Sequence, residues 1–169
     1  LPEQGAIYLP VEKPEGAQRG FSSNVNRGVS RAESDAVAVL NSDLDLSGDP
    51  FPPLLARLDT QDAGAVAPLV VSVAYREESA VRLWASRGLA WLKQIEPPPQ
   101  HTFSSNDWRE LALHGAFFLV RRELWEELGG FDERFTPAYW EDVDLGLRLQ
   151  QRGRKLILEP SVEVAHKHS

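Results

Sequence analysis

Neither cysteine nor methionine occurs among the 169 residues. Without cysteine there can be no disulfide, no thiolate metal site and no thiol nucleophile. Basic residues are also in deficit: 18 Lys and Arg stand against 25 Asp and Glu, for a net charge of −7. That balance argues against nucleic acid as a partner, because affinity for a phosphate backbone comes mainly from Lys and Arg. No apolar run approaches the roughly 20 residues needed to span a bilayer, and no signal-peptide pattern is visible. A cytoplasmic protein is expected, with peripheral association at the inner face of a membrane as the variant of that expectation. No internal repeat, low-complexity tract or Gly-rich phosphate loop is seen. Leu1 is not an initiator residue, so a piece of a longer polypeptide is expected.

What is present is ordinary for a globular protein: 42% hydrophobic and 25% charged residues. The length suits one domain with a real core, taken as residues 1–169. Ala6 to Val11 reads as a strand, with Pro10 favouring an edge position. Phe21, Val25 and Val29 stand at helical spacing within Phe21 to Ala32, with Ser22 or Ser23 as N-cap candidates. Val37 to Leu40 is a short apolar run of the kind that forms a buried strand. Asp49 and Pro50 open a helix to about Leu58. Ala63 to Val73 predicts a strand bent at Pro68.

Farther along, Val81, Trp84, Gly88, Trp91 and Ile95 form a stripe that predicts a helix over Ser79 to Ile95, with Trp84 and Trp91 in core packing. Pro97 to Pro99 end it, and Gln100 to Trp108 is a polar loop. His114 to Val120 reads as a buried strand. Arg122 to Leu128 is a helix stopped by Gly129 and Gly130, and Trp140 to Arg152 a helix stopped by Gly153. Leu156 to Glu159 and Val162 to Ala165 are short strands around Pro160. This alternation favours an α/β layered domain, a largely parallel central sheet flanked by helices.

Three places carry chemistry. The run at Val37 to Leu40 ends in Asn41, Ser42, Asp43, Leu44 and Asp45. Carboxylates just past a strand's carboxyl end sit where α/β sheets bind ligands, and they offer hard oxygens to Mg2+ or Mn2+. The same residues also suit a plain turn. The second place is Trp140-Glu141-Asp142-Val143-Asp144. Acidic residues in a first helical turn are stabilised by the dipole, and Asp144 with Arg148 forms an i,i+4 pair. Their crowding also suits a cation or a raised pKa, and a carboxylate facing a crevice is well placed as a general base. The third is His166, after the apolar run Val162 to Ala165; an isolated His is commonly structural, but imidazole suits Mn2+ better than Mg2+. Trp108 and Trp140, on a loop and a helix edge, are candidates for stacking an acceptor sugar.

Five blocks in order carry a resemblance: Gly20 to Gly28, the Leu40 to Leu46 segment, His114 to Phe135, Trp140 to Gly153, and Pro160 to His166. Together they resemble a family-2 glycosyltransferase of the GT-A fold, in its rhamnosyltransferase-like branch. The resemblance implies that Asp43 is the metal-binding carboxylate of the D-x-D turn, with Asn41 in the partner position. Asp45 is then a second metal contact or a cap. Asn26 falls in the N-x-G element near the sugar nucleotide, while Val25 stands where many members have Asn or Arg. His114 and Gly115 match the acceptor side, Asp142 the general base with Glu141 as fallback, and His166 a late His at the metal or diphosphate.

The implied activity is inverting, metal-dependent transfer from a nucleotide-diphosphate sugar to a saccharide or lipid-linked acceptor, as in cell-surface polysaccharide synthesis, with Mg2+ or Mn2+ as cofactor. Two alternatives stand beside it: a catalytically inactive relative serving as a binding or assembly module, and a nucleotidyltransferase. The family's first nucleotide-binding strands have no counterpart here. The 169 residues alone are therefore expected to bind nucleotide sugar weakly or not at all.

Overall fold

The computed structural model describes residues 20–72, 81–86, 89–94 and 112–167. The expected strand Ala6 to Val11 and the loop bearing Trp108 lie outside them. The chain runs α1 (Phe21–Val29), β1 (Ala36–Leu40), β2 (Leu44–Asp45), α2 (Phe51–Leu58), β3 (Ala63–Ser72), β4 (Val81–Ser86), β5 (Leu89–Gln94), β6 (Phe117–Arg121), α3 (Arg122–Leu128), α4 (Glu141–Gln151) and β7 (Lys155–His166). The central sheet has the order β1-β6-β3-β7-β2.

The layering is the expected one, but the pairing is mixed. Of the four pairings, β3 with β7 is parallel; β1 with β6, β6 with β3 and β2 with β7 are antiparallel. Apolar runs indicate that a strand exists and leave its direction open, which the long-range crossovers decide. The helix expected over Ser79 to Ile95 is instead the antiparallel pair β4–β5, with Trp84 opposite Trp91 in register. Ser86 pairs with Leu89, so the two strands are two residues apart in sequence, the spacing a hairpin favours. A mid-helix Gly88 would have cost about 1 kcal/mol relative to Ala.

The two short strands expected around Pro160 are one strand, β7. Its register against β3 jumps from Pro68↔Glu159 to Leu69↔Glu163, so the residues around Pro160 are taken up as an irregularity where β3 has its own proline. Helix α1 is capped by Gly20 rather than by a serine: Ser22 and Ser23 lie inside it, buried, and donate to the carbonyls of Phe135 and Gly20. At α2 the Asp49 carboxylate accepts the Phe51 N–H at 3.0 Å. Helix α3 ends at Gly129 with φ 76°, the left-handed stop expected there.

The sheet is covered on both faces. One cluster joins Val37, Val39, Phe118, Val120, Trp125, Phe131, Leu145 and Leu149 beneath α3 and α4. The other joins Leu54, Leu58, Val66, Phe117, Leu119 and Val164 beneath α2. Alternation along β6 sends Phe118 and Val120 to one cluster and Phe117 and Leu119 to the other, so its HGAFFLV run reads as continuously apolar. Among the described residues no helix is long and apolar enough to cross a membrane.

Candidate functional site

The site grows from the carboxyl end of β1. Beyond Leu40 the Asn41 N–H donates to the Ala116 carbonyl at 2.8 Å, carrying the β1–β6 ladder one step past the strand. The chain then turns, and the two-residue β2 pairs Leu44 with His166 and Asp45 with Ala165 at the end of β7. The Lys167 N–H donates to the Asp43 carbonyl at 3.0 Å and pins the turn. In this register Asp43 Oδ1 stands 3.1 Å from His166 Nε2, across 123 positions of chain. Asp43 is partly buried and His166 nearly fully so.

Asn41 leads just as directly to the second carboxylate. Ala116, its partner, follows Gly115, whose N–H donates to Asp142 Oδ2 at 2.7 Å. The Val143 N–H donates to Asp142 Oδ1 at 2.8 Å. Each carboxylate oxygen is thus held by a backbone donor at the first turn of α4. The approach is close: a Cβ at Gly115 would lie 3.0 Å from Asp142 Oδ2. His114 stands beside this contact, its Nδ1 facing the Ala116 N–H at 3.4 Å.

Glu141 behaves differently from its neighbour. It is 5% exposed, and its Oε2 has no hydrogen-bond partner. Burial raises its pKa, and the adjacent Asp142 charge adds to that; the backbone N–H groups of Glu141 and Tyr139 oppose it. The residues just before it, Tyr139 and Trp140, have φ of 83° and 74°. Left-handed backbone at non-glycine residues costs roughly 1–3 kcal/mol each and persists where surrounding structure enforces it.

Other expected site residues are turned elsewhere. Asn26 donates to the Phe131 carbonyl at 2.9 Å and to Glu133 at 3.1 Å, and accepts the Phe131 N–H at 2.9 Å. Its amide is engaged in latching α1 to the segment between α3 and α4, where Phe131 packs against Phe21, Phe118 and Trp125. Asp45 pairs with Lys167 at 3.0 Å instead of joining Asp43 and His166. Among the described residues no three His, Asp or Glu side chains gather as a metal cage. The pair Asp43 and His166 still fits a divalent ion of the kind that takes few protein ligands and completes its shell from substrate phosphates. Asp144 and Arg148 form the expected pair at 2.6 Å, and Arg148 also donates to the carbonyls of Leu128 and Gly130. Tyr139, 80% exposed beside Trp140 at 43%, was not singled out from sequence. Its position directly before the W-E-D-V-D block was the available signal.

Comparison with known proteins bears on this geometry. The family model described as "Glycosyltransferase like family 2" matches residues 5–169. The chain is 32% identical over 152 residues to the pre-mycofactocin glycosyltransferase of Mycobacterium tuberculosis, covering 89% of this chain and 30% of that protein. It is 31% identical to that organism's N-acetylglucosaminyl-diphospho-decaprenol L-rhamnosyltransferase, over 90% of this chain and 57% of the relative. The chain therefore spans between about a third and somewhat over half of these relatives. The solved structure of GalNAc-T7 with UDP, GalNAc and Mn2+ superimposes with a TM-score of 0.69 at 18% identity, covering 91% of this chain and 31% of that one. At that identity the likeness is one of fold.

Proposed function

The chain belongs to glycosyltransferase family 2, and on that premise we propose that it is the catalytic part of an enzyme moving a sugar from a nucleotide-diphosphate donor to a saccharide or lipid-linked acceptor, with inversion. The observation that carries this reading is the meeting of Asp43 with His166 at one end of a strand whose next ladder bond leads, through Ala116 and Gly115, to Asp142.

In this mechanism Asp43 and His166 would hold a divalent cation, Mn2+ suiting the imidazole better than Mg2+. Such an ion, when bound, offsets the charge of the diphosphate leaving group. Asp142 takes the proton of the acceptor hydroxyl as that oxygen attacks the anomeric carbon, a contribution of about 10²–10⁴-fold. The N–H groups of Gly115 and Val143 keep its carboxylate aimed throughout. Glu141, buried beside it, is closed off from that task, which falls to Asp142. A single base and a single displacement give inversion. The same reading takes the chain as one partial domain, acting at the cytoplasmic face in cell-surface polysaccharide synthesis.

The test is a screen of nucleotide sugars for Mn2+-dependent hydrolysis and transfer, with the anomeric configuration of the product read by NMR. Turnover with inversion that depends on Asp142 is expected. Metal-independent turnover, or a retained anomeric configuration, would overturn the mechanism.

A further inference from the structure

The corner between α3 and α4 holds two exposed rings on a hydrogen-bonded backbone. Among the described residues Tyr139 and Trp140 are the strongly exposed aromatic side chains, and they are consecutive. Their backbone is tied on both sides. Upstream, the Phe21 N–H donates to the Pro137 carbonyl at 2.9 Å and Ser22 to the Phe135 carbonyl. Downstream, the Trp140 carbonyl accepts the Asp144 N–H at 2.9 Å as the first bond of α4. Both residues sit in left-handed backbone, φ 83° and 74°, that non-glycine residues avoid. The next residue, Glu141, has its carboxyl buried with one oxygen unpartnered. Strain, a buried carboxyl and exposed apolar rings all work against stability, and all fall in the three residues before Asp142. Such outliers gather where a ligand is positioned.

Resting on the reading above, we propose that Tyr139 and Trp140 form a stacking platform for a pyranose ring of the acceptor, set beside the Asp142 carboxylate. Aromatic rings pack against the C–H face of a pyranose and leave its hydroxyls to polar partners, here Asp142. The occupant is a neutral ring. The Asp142 carboxylate is held by backbone N–H groups and not by a cation, so a diphosphate-bearing donor is disfavoured at this corner. A polyprenyl chain would find two rings in the open rather than an apolar groove. Tyr139 thereby becomes a specificity-determining residue of the acceptor side.

The experiment uses the whole chain and a panel of methyl pyranosides of gluco, galacto, manno, rhamno and N-acetylglucosamine configuration. Saturation-transfer NMR reads binding without needing turnover. At least one pyranoside should receive saturation at its ring C–H protons, and Tyr139→Ala and Trp140→Ala should each cut that signal at least fivefold. Asp142→Asn should retain the signal. Unchanged thermal midpoints in the alanine variants show that the corner has not unfolded. In the active protein the same variants should raise the acceptor KM by more than they change the donor KM. Equal saturation in wild type and both variants, or no pyranoside bound by wild type, overturns the platform. A raised KM for the nucleotide sugar in place of the acceptor also overturns it, by assigning the rings to the donor. Pyranoside binding that survives in a protein that binds a nucleotide sugar but never turns it over would sink the transferase reading and leave the platform standing.

Discussion

Two carboxylates reach the same end of β1 and are held there by opposite means. Asp43 faces an imidazole, His166 Nε2 at 3.1 Å, delivered by the far end of β7. Asp142 faces two backbone N–H groups, those of Gly115 and Val143, at 2.7 and 2.8 Å. A side-chain partner can turn its lone pair toward an arriving cation, so Asp43 and His166 suit ligation. Backbone donors cannot move away, so Asp142 keeps one orientation, as a base must. Residue type is the same in both places; the nature of the anchor separates the roles proposed for them.

The largest effect expected from this contrast is at Asp142. Asp142→Asn should lower kcat by about 10²–10⁴-fold while the donor Kd stays within a few-fold. Initial rates and donor titration check it, and an active Asn variant would erase the distinction between the two carboxylates. Next comes His166→Ala. It should raise the Mn2+ concentration for half-maximal rate by about 10–100-fold. Metal titration of the rate decides this, and an unaltered Mn2+ requirement would remove His166 from the ligand pair.

A smaller effect is expected of Gly115→Ala, whose Cβ would press within 3.0 Å of Asp142 Oδ2. The carboxylate must shift, so kcat should fall by about tenfold, in keeping with the sensitivity of proton transfer to aim, while Mn2+ dependence is untouched. A parallel loss of metal affinity would mean that the two anchors are not independent.

The smallest effect concerns Glu141. Burial holds its carboxyl above the ordinary 4.5, so the folded chain binds that proton more tightly than the unfolded chain does. Stability from this group is full below about 4.5 and is lost as pH rises through the folded value. Glu141→Gln removes the slope, so its thermal midpoint should gain on wild type as pH rises from about 4.5 toward neutrality. A midpoint difference that stays flat with pH would show that Glu141 is not held protonated.

Much of the fold was legible because its signals are local. The stops at Gly129 and Gly153, the Asp49 turn into α2 and the apolar runs of β1, β3 and β6 all depend on a few adjacent residues. The segment from Ser79 to Ile95 was misjudged for the same reason. A stripe at helical spacing and two strands around Arg87-Gly88 share one sequence, and cross-strand pairing of Val81–Ser86 with Leu89–Gln94 decided between them. The site residues divide along that line as well. Asp43, Asp142 and His166 announce themselves as polar residues ending apolar runs or opening a helix. Asn26 carries the same chemistry as a ligand contact, and only the approach of Phe131 revealed a latch.

By itself the sequence determined the family, the order of most elements and the residue types available for catalysis, because these follow from composition, periodicity and motif. Tertiary structure decided which of the acids matter to one another. Register between β2 and β7 sent His166 to Asp43 and Lys167 to Asp45, and the fit of α4 against Gly115 fixed Asp142 while burying Glu141 beside it. Register and burial are set by strands and helices far apart in the chain, and no local pattern encodes them.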